Sequence, residues 1–167
     1  MTLAVLLKLL KTMTDRKKYL LFSAILLALD RLTKVLVQGN MAYGESLTVV
    51  GKFLRITHTT NTGIAFGMAQ GKNFFFLGLS IIILLFLVIF FLRTAKKAEL
   101  LPAMMIITGA LGNIIDRIAD GAVCDFIEVN LGFPPFNPWP IFNLSDSLIT
   151  VGGILLFYME FAHKSKM

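Results

Sequence analysis

Residues 109–128, GALGNIIDRIADGAVCDFIE, with residues 142–147, FNLSDS, decide how this chain reads. They set Asn113, Asp116, Arg117, Asp125, Asn143 and Asp146 at or beside the ends of two apolar segments, where a bilayer penalises charge. Ionisable groups kept at membrane depth are functional candidates by default, and Asp125 and Asp146 stand out as a two-carboxylate pair.

The surrounding composition fits that depth. Of 167 residues, 56% are hydrophobic and only 16% charged, too apolar for a soluble domain of this size. Sixteen Lys and Arg against ten Asp and Glu give +6. Such an excess could suit nucleic acid, but here the basic residues fall in short runs between apolar segments, which is the pattern of membrane topology. No nucleic-acid partner is expected. The single cysteine, Cys124, excludes an internal disulfide, and two histidines beside it give no metal-ligand spacing. The chain is therefore expected to use neither a metal nor another cofactor.

Working outward from the opening stretch, residues 100–118 read as a transmembrane helix with Pro102 in its first turn, where proline costs least. Gly109, Asn113, Asp116 and Asp120 fall at offsets 0, 4, 7 and 11, a stripe expected to face the bundle interior. Gly109 and Gly112 allow another backbone to approach closely. Residues 73–92 are almost uninterrupted Phe, Leu and Ile, a helix facing lipid, and a basic loop with Arg93, Lys96 and Lys97 follows. On the other side, residues 119–141 carry Asp120, Asp125 and Glu128 and end in FPPFNPWP, whose prolines forbid a regular helix and whose aromatics suit the interface. Residues 142–162 read as the last helix, with a basic tail at 164–167.

Nearer the N-terminus, residues 19–37 read as the first helix. Asp30 and Lys34 are spaced to pair on one face, and with Arg31 they are expected to form an internal ion pair with snorkelling to the far interface. Residues 1–18 read as a basic amphipathic segment on the membrane surface, since no small-residue cleavage site follows the apolar patch. Between the first two helices, residues 40–66 have strand character. Residues 46–50 and 53–60 flank Gly51-Lys52, a two-residue hairpin turn, and NTGIAFG at 61–67 suits a tight turn.

The fold class expected is thus a mainly α membrane protein of four transmembrane helices with a small extracytoplasmic β-sheet after the first. The first, third and last extramembrane segments hold ten Lys or Arg and the other two hold three, which places both termini in the cytoplasm. Asp116 then lies about 24 Å along its helix and Asp146 about 6 Å into the last one, by helical rise, so both sit toward the outer face with Asp125.

These residues resemble a family. N-x-G-x-A-F at 61–66, G-N-x-x-D-R at 112–117, V-x-D-F at 123–126 and F-N-x-x-D at 142–146 resemble bacterial prolipoprotein signal peptidase, signal peptidase II, over residues 19–163. The resemblance implies that Asp125 and Asp146 are the catalytic pair. It further implies that Asn61, Asn113, Arg117 and Asn143 contact substrate, and that Asp30, Lys34 and Asp116 support the site. A monomer in the bacterial inner membrane is expected, its active site toward the extracytoplasmic face. The partners the resemblance implies are membrane lipid and diacylglyceryl prolipoproteins, cut before the lipidated cysteine. Ser145 and Thr108 depart from the family pattern, which usually has Ala and Gly there.

The chemistry is consistent with two carboxylates sharing one proton, one taking a proton from water while the other hydrogen-bonds the scissile carbonyl. Other readings compete. Ser145 or Ser147 with Lys34 would make a serine peptidase, Cys124 a thiol enzyme, and buried acids used as proton-relay groups a small transporter or scaffold.

Overall fold

The computed structural model describes residues 14–63, 71–94, 96–133 and 139–164. Most of the N-terminal extension, residues 64–66 of the first motif and Pro134, Pro135 and Pro138 lie outside the described residues. In chain order the elements are α1 (Asp15–Asn40), β1 (Ser46–Val50), β2 (Leu54–Asn61), α2 (Asn73–Arg93), α3 (Lys97–Ala119), β3 (Val123–Val129) and α4 (Leu144–Lys164). Among them α2, α3 and Leu144–Phe161 of α4 are long and apolar enough to cross a membrane. The 26-residue α1 is longer than the 19–37 expected, and it carries Asp30, Arg31 and Lys34 within its apolar stretch.

Helix α2 is apolar on every side, and Phe74, Phe75, Ile82 and Phe86 all stand exposed. A helix of that kind has no stable place in water, so the chain is an integral membrane protein. Helix α3 lies at the centre, packed against α1, α2 and α4, and holds most of the buried side chains. Its glycines bring α4 close, as expected: a Cβ on Gly109 would sit 2.3 Å from the Ser145 carbonyl oxygen, and one on Gly112 would sit 2.0 Å from Ser145 Oγ. Gly152 on α4 answers them, since its Cβ would meet the Pro102 carbonyl at 2.8 Å. Close packing through small residues is how membrane helices associate without a hydrophobic drive.

Two expectations for α3 need correction. The helix begins at Lys97, so Pro102 lies inside it instead of in the first turn, and the helix forgoes the bond its missing N–H would make. The early start follows from polar anchoring, with Thr94 Oγ1 donating to Glu99 at 2.5 Å and Lys96 pairing with Glu99 at 2.9 Å. At the other end Asp120 is exposed and caps the helix, because the chain turns there before the stripe can continue inward.

The sheet has the order β1-β2-β3, antiparallel throughout. Its hairpin loop is the three residues 51–53 instead of the two expected, with Val50 paired to Leu54, Gly51 at φ 47° and the Phe53 N–H donating to the Val50 carbonyl at 3.0 Å. The third strand, β3, joins from far along the chain. Its Cys124 and Phe126 pack with Val37 and Met41 at the end of α1, which seats the sheet on the helices. Beyond β3, the Phe142 carbonyl accepts from the N–H groups of Phe126 and Ile127 at 3.0 and 2.7 Å, so the residue before Asn143 is fixed beside the strand that carries Asp125.

Candidate active site

Asn143 precedes α4 and holds its first turn. Its Oδ1 accepts the Asp146 N–H at 2.9 Å, while Asp146 Oδ2 accepts the Asn143 N–H at 3.2 Å. This reciprocal arrangement is a capping box, with a carboxylate at the third helical position. The Asn143 amide also donates from Nδ2 to Asp125 Oδ1 at 2.7 Å and to Asn113 Oδ1 at 3.2 Å. One wholly buried side chain therefore touches both aspartates.

Each carboxylate has a further amide partner. Asn61, at the end of β2, donates to Asp125 Oδ2 at 3.3 Å, and Asn113 on α3 donates to Asp146 Oδ1 at 2.7 Å. Arg117, one turn beyond Asn113, donates to the Gly63 carbonyl at 3.1 Å. Asp125, Asp146, Asn61, Asn113 and Arg117 all line a single cavity of about 710 Å³, whose remaining wall is largely apolar. Burial, followed by the neighbouring charge of Asp146, pushes the Asp125 carboxyl up to about 7.

Beneath the pair lies a buried ion cluster. Lys34 Nζ sits 2.8 Å from Asp30 and 2.7 Å from Asp116, with Asn113 Oδ1 at 3.5 Å, and Arg31 closes on Asp116 from the other side. The expectation of snorkelling was wrong: Lys34 is 0% exposed. With two carboxylates to meet it inside the bundle, the ammonium need not reach an interface. The cluster also grips the backbone on either side of the pair. Asp30 Oδ1 accepts the Ser145 N–H at 3.0 Å, next to Asp146, and Asp116 Oδ2 accepts the Cys124 N–H at 3.3 Å, next to Asp125. The residues singled out for the site are thus brought together, although Asp30, Lys34, Asp116 and Asn143 do not line the cavity. Sequence reading missed the double role of Asn143; the signal was the spacing Asn-x-x-Asp ahead of an apolar run.

The competing nucleophiles fare poorly. Cys124 is buried on β3, and burial together with the Asp116 charge pushes its thiol up to about 11, so it stays protonated. Ser147 Oγ donates to the Asn143 carbonyl at 3.0 Å, and Lys34 is taken up by Asp30 and Asp116. Of the two residues that depart from the family pattern, Thr108 is hydrogen-bonded and Ser145 is packed with its buried Oγ unpartnered among the described residues. Thr108 shares a 2.6 Å hydrogen bond with Ser23 between α3 and α1, and Ser145 fills the space over Gly112.

Residues 22–162 match the family model described as signal peptidase (SPase) II. The lipoprotein signal peptidase of Staphylococcus aureus strain JH9 is 41% identical over 147 residues, covering 84% of this chain and 88% of that protein. Among solved structures, a bacterial membrane enzyme determined by the in meso method at 2.3 Å resolution superposes with a TM-score of 0.83 at 36% identity, covering 90% of this chain and 91% of the other. A second, at 1.9 Å resolution, gives 0.76 at 37% identity over 86% and 92%.

Proposed function

The chain belongs to the signal peptidase II family, and from that premise we propose that it is an aspartic endopeptidase removing the signal peptide from diacylglyceryl-modified prolipoproteins, cutting before the lipidated cysteine. The observation that carries the mechanism is the bridging of Asp125 and Asp146 by Asn143 at one cavity. Asp125 holds the shared proton and hydrogen-bonds the scissile carbonyl, while Asp146 takes a proton from the attacking water. The resulting gem-diol collapses as the acid protonates the leaving amine, and no covalent intermediate forms. Asn61, Asn113 and Arg117, which line the cavity, hold the substrate chain, while the wholly buried Asn143 holds the two aspartates in place of the substrate contact expected of it. Asp30, Lys34 and Asp116 keep the backbone beside each aspartate in place. In this reading residues 19–163 form the peptidase domain, after a surface-lying basic extension and before the basic tail.

Four spans, with α1 as the first, fit this reading, since α1 buries its charges against α3. Both termini then face the cytoplasm of a bacterial inner membrane, and the sheet and aspartates lie on the outer side. Reporters fused after Lys97 and Met167 should report cytoplasm and one inserted near Gly71 the outside; an outside C-terminus would overturn the topology. The enzyme works as a monomer within lipid. The function itself is tested by a gel-shift assay. Purified protein should shorten a diacylglyceryl-modified precursor and leave its unmodified form intact, and serine reagents should have no effect. Equal cleavage of both forms would refute the substrate assignment.

A further inference from the structure

The cavity continues from the aspartates between α2, α3 and α4, where its wall is Ile83, Ile106, Ala110, Ile149 and Val151 with three hydroxyls, Ser147 beside Asp146 and, further in, Ser80 on α2 and Thr150 on α4. Hydroxyls in membrane helices usually donate to a carbonyl one turn back, as Thr33, Thr108 and Ser147 do here. Ser80 and Thr150 make no hydrogen bond to any group among the described residues. Ser80 is half-buried and Thr150 exposed, so both hydroxyls stand open to the cavity, where a ligand acceptor would give each a partner in surroundings that hold little water.

Position identifies that acceptor. Thr150 lies four residues past Asp146, about 6 Å deeper by helical rise. Ser80 lies seven residues into α2, about 10 Å below the end that Asn73 ties to the Arg117 carbonyl. Arg117 itself lies four residues, about 6 Å, beyond Asn113 at the Asp146 level, so Ser80 sits about 4 Å below the aspartates; at about 3.3 Å per residue of extended peptide, Ser80 and Thr150 match roughly one and two residues on the signal-peptide side of the cut. A signal helix must end before an extended scissile bond, and its last carbonyls then lack partners in a medium without water. Ester carbonyls of a glyceryl group on the adjoining cysteine reach the same depth.

Building on the proposed function, we propose that Ser80 and Thr150 form a carbonyl-binding subsite, each hydroxyl donating to a carbonyl oxygen of the substrate below the cut. The test is steady-state cleavage of a lipidated precursor by Ser80→Ala, Thr150→Val and Thr150→Ser. The Ala and Val variants should raise KM by about three- to tenfold with kcat within about twofold, as expected for loss of one uniformly used hydrogen bond. Thr150→Ser should keep the parental KM, and thermal unfolding of all three should match the parent. A dialkyl-ether precursor separates the two sources: the KM ratio of variant to parent persists if backbone carbonyls are bound, and falls to one if ester carbonyls are. Parental KM in both Ser80→Ala and Thr150→Val would overturn the subsite alone. Failure of the parent to cleave the precursor would overturn the proposed function and the subsite with it.

Discussion

Asp125→Asn and Asp146→Asn should each leave a chain that folds and inserts but cleaves precursor slower by roughly 10⁴-fold, the upper end of what one positioned acid or base contributes. The double variant should be no slower than either single if the two groups act as one unit. Folding should survive. Asp125 is buried with its carboxyl held up to about 7, against about 4 unfolded, so the native state binds the extra proton between those values. Its contribution to stability therefore shrinks as pH rises from about 4 to about 7, and at neutral pH Asn removes a buried charge without lowering Tm. Asp146→Asn is less benign, since Asp146 also closes the capping box, and it should cost about 1 kcal/mol. As controls, the exposed Asp120→Asn and the sheet-bound Glu128→Gln should keep most of the activity. Near-parental turnover by either single variant, at matched folded enzyme, would rule the pair out.

The second large effect is structural. Lys34→Met leaves Asp30 and Asp116 buried without the ammonium between them, and only Asp116 retains a cation, Arg31. Stranding one partner of a buried ionic cluster costs roughly 3–5 kcal/mol, against a total stability of about 5–15. For a chain of this size that corresponds to a fall in Tm of roughly 10 °C or more, with a matching loss of purified protein. Methionine preserves the volume of the stem, so lost packing does not account for the drop. Thermal unfolding in detergent decides it: a Tm within about 2 °C of the parent would mean that the cluster contributes little to the fold.

How much of this was legible follows from the range of each interaction. Asp30 and Lys34 are four apart on one helix, so their pairing could be read from spacing, and Gly109 and Gly112 announced the close contact with α4. Asp116 as a second partner for Lys34 could not be read, because 82 positions separate them and only the packing of α1 on α3 joins them. Strand β3 escaped for a different reason. Alternating polarity marks a strand with one wet face, whereas β3 is buried on both, with Cys124 and Phe126 against α1 while Val123 and Asp125 line the cavity. The first hairpin was visible through its β-branched residues, but its loop length depended on the pairing of Val50 with Leu54.

The central claim is that two carboxylates share one proton, and the pH dependence of kcat/KM for cleavage of a lipidated precursor tests it most directly. With Asp125 pushed up to about 7, the singly protonated pair exists below that value and is lost above it. The rate should therefore fall as pH rises beyond about 7, approaching tenfold per unit, while the enzyme stays folded. A rate that instead climbs through about pH 9, as deprotonation of a lysine or thiol would produce, contradicts the shared-proton mechanism.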